Sequence, residues 1–157
     1  MPTVSAVRPL LSFTRTAAVA AIRRWLYGGG YVWLMLDRVD PELLSALLGD
    51  ESGCHVVDTA TLNTLLITCG REQGGFGDIH AEYENPLKLV RVLVDDEEVI
   101  VRVNGWPAAF WKDCGTGRLI VTTLQSDAWG AKVGGDTRSN AAMQHVMNYL
   151  FVEPSSK

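Results

Sequence analysis

Apolar residues return at helical spacing in one early segment and run almost without interruption in the next. Between residues 14 and 27 they recur every three or four positions, which predicts an amphipathic helix: Ala18, Ala21, Ile22, Trp25 and Leu26. Three glycines, residues 28–30, end this helix, and the apolar run Tyr31–Leu36 follows them. A short continuous run of this kind is typical of a strand buried on both faces of a parallel sheet.

Two further helices are predicted from their end signals and their spacing. The first is predicted at residues 41–48, because Asp40 suits an N-cap and Pro41 suits the first helical position. Four leucines form its apolar face, and Gly49 ends it: Leu43, Leu44, Leu47 and Leu48. Residues 139–151 carry apolar side chains three and four positions apart, which predicts a terminal helix.

Two β-hairpins are predicted in the second half of the chain. Residues 108–112 and 118–124 are short and apolar, and the glycine turn between them, Gly115-Thr116-Gly117, tolerates a left-handed backbone. Residues 87–94 and 99–104 flank the acidic run Asp95-Asp96-Glu97-Glu98, which indicates a second antiparallel hairpin. We interpret the acidic run as a solvated turn, because calcium-binding loops need alternating ligands and a glycine.

These elements together predict a three-layer α/β domain with a mainly parallel, flavodoxin-like sheet and an antiparallel hairpin extension. At 157 residues, 47% of them hydrophobic, the chain can build one core. The predicted domain covers residues 14–152, with an irregular lead-in at 1–13 and a tail at 153–157.

The composition narrows the classes of partner and cofactor. The net charge is −4 and the basic residues are scattered, which argues against binding to nucleic acid. No apolar run approaches the roughly 20 residues needed to span a bilayer, so direct membrane insertion is not expected. The three cysteines, Cys54, Cys69 and Cys114, are widely spaced and favour neither a disulfide framework nor a zinc site. We therefore expect no metal and no cofactor, and a cytoplasmic or cytoplasm-facing location.

The order of these segments resembles the class I glutamine amidotransferase-like superfamily. The likeness rests on the helix before Gly28-Gly29-Gly30, the strand that follows, and Gly115-x-Gly117-Arg118 leading into another strand. It is closest to ThuA-like, non-catalytic domains of large bacterial membrane or envelope proteins. The resemblance implies an interaction or ligand-sensing module that works with a protein partner or with the rest of a larger chain. Such domains begin with one or two βα units, which are missing ahead of residue 14.

The superfamily's catalytic residues have only partial counterparts here. Its nucleophile is a cysteine on a tight turn with glycines on both sides, activated by a histidine two residues from a glutamate. Cys54 has a glycine before it but none two places after it, and His80-Ala81-Glu82 has the histidine–glutamate spacing. The sequence thus favours a non-catalytic domain. A divergent cysteine-dependent hydrolase or amidotransferase that uses Cys54, His80 and Glu82 is the alternative.

Five other residues are candidates for binding a ligand or a partner. Asp37, Arg38 and Asp40 follow the apolar strand, at the edge where open α/β sheets hold ligands. Trp106 and Trp129 lie at predicted turns, where a large exposed aromatic often marks a contact surface. A third alternative is a structural fragment that forms a homo-oligomer through an open sheet edge.

Overall fold

The computed structural model describes residues 16–39, 41–49, 53–69, 77–95, 99–129 and 144–150. Six strands form one sheet: β1 (Tyr31–Met35), β2 (His55–Cys69), β3 (Ile79–Leu93), β4 (Val99–Val103), β5 (Trp106–Cys114) and β6 (Gly117–Thr122). The helices are α1 (residues 16–27), α2 (Pro41–Leu48) and α3 (residues 144–150), and a 3₁₀ turn spans Ser126–Trp129.

The sheet is mixed and mostly antiparallel. Its strand order is β1-β6-β5-β4-β2-β3, and among the described strand pairs only β1–β6 is parallel. The predicted mainly parallel, flavodoxin-like sheet is therefore wrong. The physical reason is the length of the connections: two-residue turns join β4 to β5 and β5 to β6, and a parallel pair needs a crossover of a dozen residues or more.

The sheet curls into a half-barrel because the chain after β6 also pairs with β3. The Val90 amide donates to the Thr123 carbonyl at 2.9 Å, and the Gln125 amide donates to the Lys88 carbonyl at 2.7 Å. Thr123 also donates its own amide to the Ala108 carbonyl of β5 at 3.0 Å. Residues 123–125 thus lie between β3 and β5 and draw distant strands of the sheet together.

One of the two predicted hairpins is confirmed. β5 and β6 form an antiparallel pair that closes at Cys114 and Gly117, around the expected glycine turn. The other is wrong, because β3 pairs with β2, while β4 pairs with β5 and with the end of β2. The local pattern around the acidic run could not reveal β2, which enters the sheet between β3 and β4.

Helices pack against both faces of the sheet. Leu44 and Leu47 of α2 lie in a buried cluster with Val121 of β6, whereas Val146 of α3 lies in the opposite cluster with Ile120. Neighbouring residues of a strand point to opposite faces, so the two clusters lie on either side of β6. The predicted α2 is confirmed, and within the predicted terminal helix the described residues 144–150 are helical.

Both segments at the start of the described chain differ from their predictions. An amphipathic helix normally turns its apolar side to the core, yet within the predicted apolar set of α1 only Leu26 is buried. β1 lies at the end of the strand order instead of inside a parallel sheet, and Tyr31 is 68% exposed. The predicted lead-in, the tail and Asp40 lie outside the described residues.

Candidate functional site

The structure does not bring the candidate catalytic residues together. Cys54 directly precedes β2, where His55 pairs with Leu93, whereas His80 pairs with Leu66 further along the same strand. Eleven residues separate the two positions on β2, which corresponds to roughly 35 Å of extended strand. Glu82 lies on β3 near His80. A cysteine nucleophile needs its base within hydrogen-bond reach, so this arrangement does not support the hydrolase alternative.

The thiols and acids of the described chain do not form a metal centre. No three His, Cys, Asp or Glu side chains among the described residues are grouped to hold a metal ion. Cys114 is buried, and burial raises the pKa of its thiol, which opposes a nucleophilic role at neutral pH.

Asp37 and Arg38 join the end of β1 to the 3₁₀ turn. The Ser126 amide donates to Asp37 Oδ2 at 2.8 Å, and Arg38 Nε donates to Ser126 Oγ at 2.7 Å. Arg38 Nη2 also donates to Asp127 Oδ1 at 3.0 Å. These two candidate ligand residues thus use much of their bonding capacity to close the fold, and the turn that they hold ends at Trp129.

One oxygen of Asp37 is not satisfied by these bonds. The side chain is 10% exposed, and its Oδ1 is buried with no hydrogen-bond partner among the described residues. A carboxylate oxygen without a donor leaves part of its desolvation cost uncompensated. Asp37 is therefore held in this turn through Oδ2, by the Ser126 amide and the neighbouring Arg38 guanidinium.

Trp106 is held at the start of β5 by an arginine. The Arg91 guanidinium lies 5.0 Å from the centre of the Trp106 ring and forms two hydrogen bonds to the Asp58 carboxylate. A shallow groove of about 210 Å³ lies beside the ring, lined by residues that include Leu93 and Arg102. The indole is half-buried, so only part of this candidate contact residue faces solvent.

The large exposed apolar side chains of the described residues fall into two groups. The first, which we call the aromatic surface, lies on α1 and at the start of β1: Ile22, Trp25, Tyr27 and Tyr31, with exposed fractions of 40%, 58%, 36% and 68%. The second lies on β2 and at the end of β3: Val56, Val57 and Leu93, with 39%, 50% and 55%. Val56 pairs with the buried Val92 and Leu93 pairs with His55, so Val56 and Leu93 point to opposite faces of the sheet. Both groups border strands that have an open edge.

The aromatic surface is built by local contacts between α1 and β1. The Trp25 ring lies against Gly30, where a side-chain Cβ would be 2.4 Å from the ring. Gly30 directly precedes Tyr31, so the indole lies beside the start of β1. Arg23 lies 5.2 Å above the centre of the Tyr27 ring, a cation–π distance. In the described sheet no strand covers the side of β1 opposite β6, so the aromatic side chains flank an open edge.

Sequence reasoning did not place the aromatic surface among its candidate sites. The apolar spacing of α1 identifies the correct stripe, because Ala18, Ala21, Ile22 and Trp25 lie together on one side of a helix. The spacing does not tell which side of the helix contacts the sheet. Arg23 and Arg24 lie outside this stripe, so they gave no signal that the stripe itself faces solvent.

The fold is similar to those of several solved structures. The cytoplasmic protein STM1381 from Salmonella typhimurium LT2 is 12% identical, with a TM-score of 0.51 over 69% of this chain and 49% of that one. The cytoplasmic protein STM3548 from Salmonella typhimurium is 8% identical, with a TM-score of 0.54 over 83% and 59%. The beta-galactosidase from Rahnella sp. R3 is 12% identical, with a TM-score of 0.54 over 84% and 20%.

These similarities concern the fold alone, since the identities are low. The chain spans about half the length of STM1381 and a fifth of the beta-galactosidase. No family model matches the chain, and no curated protein matches it by sequence.

The resemblance to the class I glutamine amidotransferase-like superfamily, including its ThuA-like members, is wrong. The similar structures are of other kinds, and the sheet is curled and mostly antiparallel. Glycine turns next to apolar strands occur in many folds, so their order alone was a weak signal. The expectation that a first βα unit is missing ahead of residue 14 rested on the same resemblance, so it loses its support. Within the described residues no helix is both long and apolar enough to cross a membrane.

Proposed function

We propose that this chain is a non-catalytic interaction module that binds a protein partner through the aromatic surface. The observation that carries the proposal is the exposure of Trp25 and Tyr31, 58% and 68%, beside an open strand edge. Tryptophan and tyrosine are enriched at protein interfaces, where they bury a large area and lose little conformational entropy. Exposed large aromatic residues grouped in this way mark an interaction site more often than isolated apolar residues do.

The charges around the aromatic surface define the partner's chemistry. Residues 16–27 contain Arg23 and Arg24 and no acidic residue, so α1 presents positive charge next to its apolar stripe. Both arginines are exposed. Complementary charge accelerates encounter and selects the partner, so we expect an acidic surface with apolar residues at its centre.

A photo-crosslinking experiment tests the contact in the cell. A benzoylphenylalanine in place of Trp25 should give covalent adducts on illumination, and the same probe in place of the exposed Lys88 on β3 should not. The adduct at position 25 should disappear in an Ile22→Lys background, because a charge inside the stripe prevents apolar packing. A second variant carries the probe in place of Tyr31. If the probe gives no more adduct at position 25 or at position 31 than at position 88, the proposal fails.

Two observations support a cytoplasmic location for this module. The sequence has three widely spaced cysteines and no disulfide framework pattern, which is typical of proteins from a reducing compartment. Two proteins of similar fold are described as cytoplasmic. Cell fractionation with a tagged chain tests this part of the proposal.

A further inference from the structure

A groove of about 500 Å³ lies between α1 and α2. Its walls come from one side of each helix: Thr16, Val19, Ala20 and Arg23 of α1, and Glu42, Leu43 and Ala46 of α2. The positions on α1 recur at three- and four-residue spacing, so they lie together on one side of that helix. The groove is therefore formed by two facing helix surfaces, and its volume is within the range of small-molecule sites.

The lining of the groove is aliphatic, and small side chains leave its space unfilled. Ala20 and Ala46 are exposed, one on each helix, and each has only a methyl group to place in the groove. Val19 and Leu43 are half-buried and pack against the core cluster beneath the helices, so they form an apolar floor. An alkyl chain that lies in the groove would remove its own apolar surface and that of the floor from water.

Arg23 supplies a positive charge at the rim of the groove. Its guanidinium lies 5.2 Å above the centre of the Tyr27 ring, which holds it at the surface of α1. Arg23 makes no ion pair with a described residue, and so none joins it to Glu42 of the other wall. A guanidinium has five N–H donors and binds a carboxylate through two of them. The groove thus places a cation that can bind an anion beside an aliphatic floor.

We propose that the groove between α1 and α2 binds an aliphatic carboxylate, with its carboxylate on Arg23 and its alkyl chain over Val19 and Leu43. The distance from Thr16 to Arg23 along α1 is roughly 10 Å, which suits a chain of medium length. This site goes beyond the proposed contact with a protein, because Trp25 lies on a different side of α1 from Val19 and Arg23.

A titration with octanoate tests the site. In NMR spectra of the full chain, the backbone amides of Ala20 and Ala46 should shift saturably at octanoate concentrations below those that form micelles. Octanol and octylammonium have the same alkyl chain without the negative charge. Both should bind at least about tenfold more weakly, because they cannot accept the charge-assisted hydrogen bonds of Arg23.

Two pairs of variants assign the contacts. Arg23→Met should weaken octanoate binding about tenfold and leave octanol binding unchanged, whereas Arg24→Met, at an exposed arginine outside the lining, should change neither. Ala46→Trp should abolish binding of both compounds, because the indole fills the groove. Ser45→Trp places the same side chain at an exposed position of α2 outside the lining and should leave binding intact. Should Ala46→Trp unfold by circular dichroism, Ala20→Trp replaces it.

Several outcomes would overturn the inference. Octanoate that does not bind, or that binds only as micelles, excludes the site. Octylammonium that binds as tightly as octanoate would show that Arg23 does not set the charge preference. Unchanged octanoate binding by the Arg23→Met chain or the Ala46→Trp chain would place the ligand elsewhere. In each case photo-adducts at position 25 would leave the proposed function standing, and an absence of adducts would leave the octanoate site standing.

Discussion

The side chain of Asn104 extends the hydrogen-bond ladder between β4 and β2 by pairing with the backbone of Leu66. The backbone amide of Leu66 donates to the side-chain oxygen Asn104 Oδ1 at 2.7 Å, and the backbone amide of Asn104 donates to the Leu66 carbonyl at 2.9 Å. Asn104 Nδ2 also donates to the Thr64 carbonyl at 3.1 Å. A side-chain amide thus takes the place of a peptide group where β4 ends, and it fixes where the open edge of β2 begins.

We expect Asn104→Gly to lower the free energy of unfolding by about 1–2 kcal/mol, because two side-chain hydrogen bonds are lost. Asn104 has a φ of 50°, so Asn104→Ala should cost about 1 kcal/mol more through left-handed strain. Urea denaturation of the three chains measures both differences. Equal stabilities of the glycine variant and the wild type would show that the side-chain bonds contribute nothing.

Gly117 allows the β5–β6 turn to lie against the end of α1. A Cβ at this position would be 1.7 Å from the Leu26 carbonyl oxygen and 2.5 Å from that of Gly30. Both are backbone atoms of a packed turn, so Gly117→Ala should destabilise the fold by about 3 kcal/mol or more.

Gly77→Ala is the matched control, since no atom of the described residues lies within 4 Å of its added Cβ, and it should change stability by less than about 0.5 kcal/mol. Thermal unfolding followed by circular dichroism compares the two variants. Similar melting temperatures for both would contradict the close packing of Gly117.

The ion pair between Asp58 and Arg91 should make stability depend on pH in the acid range. The hydrogen bonds from Arg91 hold the pKa of the Asp58 carboxyl below its ordinary value of 3.8. The unfolded chain then takes up the proton at a higher pH than the folded chain does. The stabilisation is therefore complete at neutral pH and is lost as the pH falls below about 3.8 and through the lowered pKa.

Asp58→Asn removes this titration and tests its sign. The difference in unfolding free energy between the wild type and Asp58→Asn should be largest near pH 7 and should shrink toward pH 3. Guanidinium-induced unfolding at several pH values measures it. A difference that grows on acidification would show that the sign is wrong.

Cys114 should react more slowly with iodoacetamide than Cys54 or Cys69 at pH 8. Cys114 is 1% exposed and burial raises the pKa of its thiol, whereas the other two cysteines are half-buried. Alkylation followed by mass spectrometry gives the three rates. The difference should vanish in guanidinium, and labelling of Cys114 first in the native protein would be inconsistent with this fold.

Several elements could be predicted because their signals are local. The N-cap chemistry before α2 and the glycine turn between β5 and β6 act over a few residues, so they determine where an element begins and ends.

The candidate sites were harder to predict, because a site depends on contacts between distant segments. Asp37 follows its strand as expected, but its partner Ser126 lies 89 residues away in the sequence, so the closure of this turn is not visible in any local pattern. Cys54 and His80 belong to the paired strands β2 and β3 and the segment before them, and the register of this pair places them far apart.

By itself the sequence determined the acidic net charge and the local conformations: a helix that stops at three glycines, a capped leucine helix and a tight hairpin. These follow from backbone and side-chain preferences within a few residues. Only the tertiary structure decided which strands are neighbours, which direction they run, and that the apolar stripe of α1 faces outward. Those choices depend on how distant segments bury their apolar side chains together. An apolar stripe has the same spacing in the sequence whether it packs on a sheet or faces solvent.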